Sequence, residues 1–287
     1  MLKQISLLIL CAAAIVWFAT PVQACTSAVV SGKVTPDGRP LLWKNRDTDF
    51  MQNHIDYVKG EKYNFIAVVN SANAYLKEAW MGTNSSGFAL MNTQSYNLVD
   101  VKGDEERGAA NGRVIYRALE VCATVEDFCH FLDTISKPSD IEANFGVIDA
   151  QGGAAMFEVD YHKYVMYDAN NPKDAPYGYI ARTNFSFAGK VNEGAGYVRY
   201  MEADQVLMKA SATGSITPQF IFNDLSRSFR NRMLDIDLRS GAYNRPQASG
   251  WFVDQDFIPR SSTSCSVVVQ GVKPGEKAEL TTMWTLL

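Results

Sequence analysis

Apolar positions follow two spacings along the chain, and the change from one to the other marks out the elements. After residue 25, short β-branched or alternating runs at about 26–32, 41–44, 64–69, 75–81 and 88–94 predict strands. Pro36-Asp37-Gly38 and Asn84-Ser85-Ser86-Gly87 read as turns between them. A polar stretch at 100–112 reads as a solvated loop. The period then lengthens. Val114, Ile115, Ala118, Leu119 and Cys122 follow i, i+3/i+4 spacing, so a helix is predicted over 112–122. Thr124, with Asp127 three positions on, matches a capping box that opens a second helix. That helix sends Phe128, Phe131, Leu132 and Ile135 to the core, and Pro138 ends it.

Strands return at 144–149, 153–159, 163–168 and 178–182, the first two joined by a tight Gln151-Gly152-Gly153 turn. A helix over about 197–210 follows. Another opens with Thr217 as N-cap and Pro218 at N1, with Ile221, Leu225 and Phe229 on one face. Ser264 to Gln270 predicts a late strand, with another near 279–286. Two blocks of strands, each followed by a helix pair, suit an α+β domain over 25–287: two sheets packed face to face, helices outside. The apolar ending Met283-Trp284-Thr285-Leu286-Leu287 suits a natural end and a cut chain equally.

The first 24 residues predict a different fate. Lys3 precedes an apolar run from Ile5 to Ala19, which falls short of the ~18–20 residues that span a bilayer. Pro21 breaks the run, and Val22-Gln23-Ala24 supplies the small residues that signal peptidase needs. A cleaved signal over 1–24 makes Cys25 the new N-terminus of an exported, periplasmic or secreted protein. The same four residues also form a poor lipobox, in which Cys25 would carry a lipid. A lipoprotein tether is normally polar and flexible, whereas Cys25-Thr26-Ser27-Ala28-Val29-Val30 runs straight into strand-like sequence.

Composition narrows the function. The net charge is -4, and loss of Lys3 makes it one more negative, so no basic surplus is available for nucleic acid. Three histidines and five cysteines, with no CxxC or CxxH spacing, leave little for a multi-ligand metal site. Cys122 and Cys129 sit seven apart in a helical stretch, roughly 10 Å along the axis and beyond disulfide reach. Cys122, Cys129 and Cys265 are therefore read as buried free thiols, and Cys25 as the exception.

A nucleophilic thiol needs a base, because a free thiol is only a few per cent ionised at neutral pH. His54, His130 and His162 sit in unremarkable local sequence. An N-terminal cysteine carries its own base, since its α-amine has a pKa near ~7.7–8.0. Cys25-Thr26, followed some twenty residues later by Lys44-Asn45-Arg46-Asp47, resembles the start of the N-terminal-nucleophile amidohydrolases. The branch is that of acyl-coenzyme A:isopenicillin N acyltransferases, choloylglycine hydrolases and penicillin V acylases. Four further segments are similar in order: Gly82 to Ala89 with Asn92 beyond it, Ile148 to Gly152 leading to Glu158, Arg182-Thr183-Asn184-Phe185, and Tyr197-Val198-Arg199-Tyr200.

The resemblance implies an αββα four-layer sandwich of two mainly antiparallel sheets. It also implies hydrolysis of a linear amide through an acyl-cysteine, with acyl transfer as a variant and a small-molecule N-acyl amide as partner. No cofactor and no metal are implied; a homo-oligomer is. Cys25 is the implied nucleophile and its α-amine the base, with Asp47 holding that amine. Asn184 and Asn92 are the implied oxyanion donors, and Arg199 an electrostatic brace. Lys44 stands where choloylglycine hydrolases have arginine, so Arg46 is an alternative for that part. Phe50 and Met51, in the loop after Asp49 with His54 and Tyr57, are expected to favour an apolar acyl group. Two other readings remain: a cysteine dipeptidase of a related branch, and a lipid-anchored binding protein whose cysteine does no chemistry.

Overall fold

The structure, a computed structural model, describes residues 25–99, 108–240 and 256–287. The expected leader lies outside the described residues. In chain order come β1 (Thr26–Val30), β2 (Leu41–Asp47), β3 (Asn53–Val58), β4 (Phe65–Asn70), β5 (Met81–Asn84) and β6 (Ala89–Gln94). Helices α1 (Asn111–Val121) and α2 (Val125–Thr134) follow, then β7 (Ala143–Ile148), β8 (Ala154–Val159), β9 (Tyr164–Asp168) and β10 (Tyr179–Arg182). Helix α3 (Tyr197–Ala212) precedes a short α4 (Pro218–Phe220) that runs on as a π-turn, Ile221–Leu225. A two-stranded ribbon, β11 (Arg230–Asn231) and β12 (Ile236–Asp237), leads toward β13 (Thr263–Gln270) and β14 (Thr282–Leu286).

Two antiparallel sheets result. One has the order β10-β1-β2-β13-β14; the other is a seven-stranded meander from β3 to β9. Apolar side chains of both sheets, among them Val29, Leu42, Val68, Met91, Met156 and Val267, fill the space between them. Helices α1 and α2 cover the outer face of the meander, where Leu119 and Phe128 pack against Leu90, Phe145 and Phe157. Phe128 meets Phe157 edge to face at 5.0 Å. On the far side, Ala203, Leu207, Ile221 and Leu225 pack on Trp43, Val30 and Val268. The four layers are therefore helix, sheet, sheet, helix.

Local chemistry accounts for most of the boundaries. Thr124 accepts from the Asp127 backbone while the Asp127 carboxylate takes the Thr124 N–H, the expected capping box. Thr217 caps α4 with Pro218 in its first turn. That helix is shorter than its periodicity suggests, and Phe229 leaves it to pack on Phe257 at 6.0 Å.

The strand expected at 75–81 is a 3-10 turn, Ala74–Leu76, with Lys77 left-handed at φ 54. The strand begins at Met81 instead and runs to Asn84, the first residue of the expected turn. Gly82 is required there because a Cβ would meet the Ile66 carbonyl oxygen at 2.5 Å and Leu119 Cδ1 at 2.8 Å. The loop expected to hold His54 and Tyr57 is partly the edge strand β3, whose residues are all half-buried or exposed. Cys122 and Cys265 are buried free thiols as expected, but Cys129 is only half-buried.

Candidate active site

Strand β2 carries the charged motif inside the fold. The sequence suggests that Lys44-Asn45-Arg46-Asp47 follows a strand; all four residues instead lie within β2, buried. Antiparallel register sets Thr26 against Asn45, which brings Cys25 alongside Arg46. Side chains alternate across a strand, so Cys25 shares the inter-sheet face with Ser27 and Val29. Lys44 and Arg46 share that face with Leu42, and Cys265 of β13 stands opposite Arg46. Cys25 is 6% exposed, and its Sγ lies 3.8 Å from the Asp47 carbonyl oxygen.

Lys44 crosses to the other sheet. Its Nζ donates to Asn92 Oδ1 at 2.9 Å and to the Trp80 carbonyl at 3.1 Å. Burial lowers its pKa, opposed by the neighbouring Cys25. Arg46 crosses beside it. Its guanidinium donates to Asn53 Oδ1, and to Asn70 Oδ1 at 2.7 Å, with Trp80 over it at 4.8 Å. Burial brings its pKa down to about 10. Both cations thus rest on neutral acceptors, Lys44 toward Asn92 and Arg46 toward the β3–β4 edge.

Asp47 closes the end of β2. One carboxylate oxygen, Oδ1, accepts from the Thr263 hydroxyl at 2.6 Å. The other, Oδ2, is buried with no hydrogen-bond partner among the described residues. Burial pushes the Asp47 pKa up to about 7, against the pull of Arg199, the Thr263 hydrogen bond and Arg260.

Arg199, in the first turn of α3, reaches the outer side of the same strand ends. It is 1% exposed. Its Nη1 donates to the Cys25 carbonyl at 2.7 Å and to Thr26 Oγ1 at 3.0 Å. Its Nη2 donates to Asn184 Oδ1 at 2.8 Å, and its Nε to Asp256 at 2.8 Å. Asn184 follows β10, fully buried, with Nδ2 donating to the Gln94 carbonyl at 2.8 Å. Arg182, two residues earlier, pairs with buried Glu158 at 2.6 Å.

Two asparagines are therefore each gripped at Oδ1 by a buried cation, Asn92 by Lys44 and Asn184 by Arg199. A cation can bind only the oxygen end of an amide, so each grip fixes which end is which. Phe50 and Met51 lie just beyond β2, at 42% and 51% exposure, on the surface rather than in the buried cluster. Asn84 and Asn184 both stand in glycosylation-type sequences, yet both amides are buried; Asn84 Nδ2 is spent on the Leu119 and Cys122 carbonyls.

Thr263, Asp256, Trp80 and Gln94 are site neighbours that sequence reasoning missed. The only trace of the first is the hydroxyl run Ser261-Ser262-Thr263-Ser264 ahead of β13. Among the described residues, no group of three or more His, Cys, Asp or Glu side chains could hold a metal ion. No described helix is long and apolar enough to cross a membrane.

Several solved structures are similar to this chain. A Caenorhabditis elegans N-acylethanolamine-hydrolyzing acid amidase ortholog matches with a TM-score of 0.51 at 14% identity, over 92% of this chain and 100% of that one. A mutant conjugated bile acid hydrolase from Clostridium perfringens matches at 0.47 and 14% identity, over 92% and 96%. Penicillin V acylase from Agrobacterium tumefaciens matches at 0.42 and 16% identity, over 86% and 80%. No curated protein sequence matches. The first of these likenesses assigns the fold, an αββα sandwich of the N-terminal-nucleophile hydrolase type. The family model for acyl-coenzyme A:6-aminopenicillanic acid acyl-transferase matches residues 34–212, more than half of the sequence, and the chain belongs to that family.

Proposed function

We propose that the mature protein is an exported amidohydrolase that begins at Cys25 and cleaves a linear carbon–nitrogen amide of an N-acyl substrate. The observation that carries this is Asp47 Oδ2, a buried carboxylate oxygen without a described partner, beside the cysteine that leader removal would expose. An α-amine freed on Cys25 gives that oxygen the N–H donor it lacks, and the bond becomes charge-assisted once the amine has taken up a proton. Burial of Cys25 and Thr26 at the start of β1 also speaks against a lipid on Cys25, because no tether separates the cysteine from the fold.

The chemistry follows from these roles. The α-amine takes the Cys25 thiol proton, and the sulfur attacks the amide carbonyl carbon. Charge collects on the carbonyl oxygen. The Nδ2 groups of Asn184 and Asn92, whose Oδ1 atoms Arg199 and Lys44 hold, are the proposed donors to that oxyanion. The carbon–nitrogen bond then breaks, and the α-ammonium returns the proton to the departing amine. Water, deprotonated by the same α-amine, attacks the thioester and releases the acid, restoring the thiol. An amine acceptor in place of water gives acyl transfer. Phe50 and Met51, exposed just beyond β2, suit an apolar acyl chain.

The test is turnover of N-decanoylethanolamine, N-decanoylglycine and penicillin V by the exported protein and by Cys25→Ala. Release of free amine by the parent and none by the variant is expected. Turnover unaffected by Cys25→Ala, or none by a parent with a free Cys25 amine, would overturn the proposal.

A further inference from the structure

We infer that Thr263 is a positioning residue for Asp47, aimed at it by a bulge in β13, so that one carboxylate oxygen is held and the other is left for the Cys25 α-amine. The inference rests on the function proposed above and concerns the same site.

The register carries the first part. From Gln270 to Cys265, β13 pairs residue for residue with Leu41 to Arg46 of β2. Regular continuation would set Ser264 against Asp47. Instead the register shifts between Thr263 and Cys265, and Thr263 takes the place opposite Asp47. An extra residue of this kind bends a strand and re-aims its side chains. Ser264, the displaced residue, turns its hydroxyl to the Arg46 carbonyl at 3.3 Å.

Hydrogen-bond polarity carries the second part. The Thr263 oxygen accepts the Arg260 backbone N–H at 2.8 Å. Its single proton is then directed to Asp47 Oδ1, at 2.6 Å. A hydroxyl fixed in this way donates to a carboxylate and favours its ionised form. The direction agrees with the Asp47 titration, in which the Thr263 bond pulls against burial. Other charged groups felt by Asp47 are Arg199 from α3, with Arg260 and Asp256 from the segment before β13. Lys44 and Arg46 lie on β2 itself, and Cys25 and Cys265 stand on the two flanking strands. Among these groups Thr263 supplies the hydrogen bond that selects Oδ1.

The test compares Thr263→Val with Thr263→Ser in the exported protein, using whichever of the three N-acyl amides the parent turns over best. The valine variant is expected to lower kcat by about tenfold or more with KM nearly unchanged. Its acidic limb should move up by about one pH unit, because Asp47 and the α-amine titrate as a pair and the ionised carboxylate has lost a donor. Serine should restore both. Thr263→Ala, which removes the hydroxyl without filling its place, gives the same reading if the valine variant does not fold. A parental kcat and parental limb in Thr263→Val or Thr263→Ala would overturn the inference, as would failure of serine to rescue. Cys25→Ala separates the two claims. If it is inactive while Thr263→Val behaves as parent, only the role of Thr263 falls; if it remains active, the function proposed for Cys25 falls with it.

Discussion

Arg199 grips Asn184 Oδ1 at 2.8 Å with one guanidinium nitrogen and the Cys25 carbonyl at 2.7 Å with the other. One buried side chain thereby ties the orientation of an amide on β10 to the position of the strand that starts with the cysteine. Lysine offers one nitrogen where the guanidinium has three, so a single ammonium cannot span the Cys25 carbonyl, Thr26, Asn184 and Asp256 as Arg199 does. Arg199→Lys and Asn184→Ala should each lower kcat by about 10²–10³-fold, the range for loss of an oxyanion donor. The double variant should cost little more than either single one, since both break the same unit. Steady-state kinetics of the three variants checks this. Fully multiplicative losses would contradict it.

Lys44 separates activity from stability. Its ammonium is buried against neutral acceptors, and burial already disfavours its charge. Lys44→Met removes that charge while keeping an unbranched apolar stem, so the relief of burying an ammonium is set against the two acceptors it strands. Thermal unfolding should therefore shift by only a few degrees. Activity should fall by about tenfold or more, because the Asn92 amide loses the cation that orients it. A variant that is both stable and fully active would show that the grip on Asn92 is irrelevant to turnover.

Asp47 makes a signed pH prediction for the chain that still carries its leader. Its folded pKa of about 7 lies above the ordinary 3.8. The folded state then binds the proton more tightly than the unfolded one, so stability falls as pH rises from 3.8 toward 7 and stays reduced above it. Asp47→Asn should remove a cost on the order of a few kcal/mol at pH 8 and almost none at pH 4. Urea unfolding of the leader-retaining chain at the two pH values measures it. An equal effect at both would contradict the assignment. In the mature protein the same substitution should abolish turnover.

Glu158 anchors the segment that follows Asn184. Its carboxylate accepts Arg182 Nε at 2.6 Å and the backbone N–H groups of Phe187 at 2.9 Å and Ala188 at 2.7 Å. Glu158→Ala strands a buried guanidinium and should cost about 3–5 kcal/mol in chemical denaturation. Glu158→Gln keeps an acceptor and should cost less. A loss under about 1 kcal/mol for alanine would mean that the pair is solvated in solution.

The layer order was legible in the sequence because each layer has its own period. The α1 stripe from Val114 to Cys122 and the capping box at Thr124 are local signals, and the structure keeps both. Edge strand β3 was not legible, since its alternation is inverted: apolar Ile55 and Tyr57 are exposed while polar His54 and Asp56 are half-buried. Strand β5 was not legible for a different reason. Gly82 and Asn84 are weak strand formers, yet here glycine serves the close approach of α1 to the sheet. Within the site, Cys25, Asp47 and Asn184 could be named from motif order. The partners of Lys44 and Arg46, and the choice of Thr263 over Ser264 opposite Asp47, depend on pairings between residues far apart in sequence and on a bulge that no period announces.

The most direct test of the central claim is the mass of the N-terminal peptide of the exported protein, mapped before and during brief exposure to an N-acyl amide substrate. A peptide that begins at an unmodified Cys25 and transiently gains the mass of the acyl group as a thioester is expected. A permanent diacylglyceryl or N-acyl mass on Cys25, or a mature chain that begins elsewhere, would remove the α-amine base and contradict the claim.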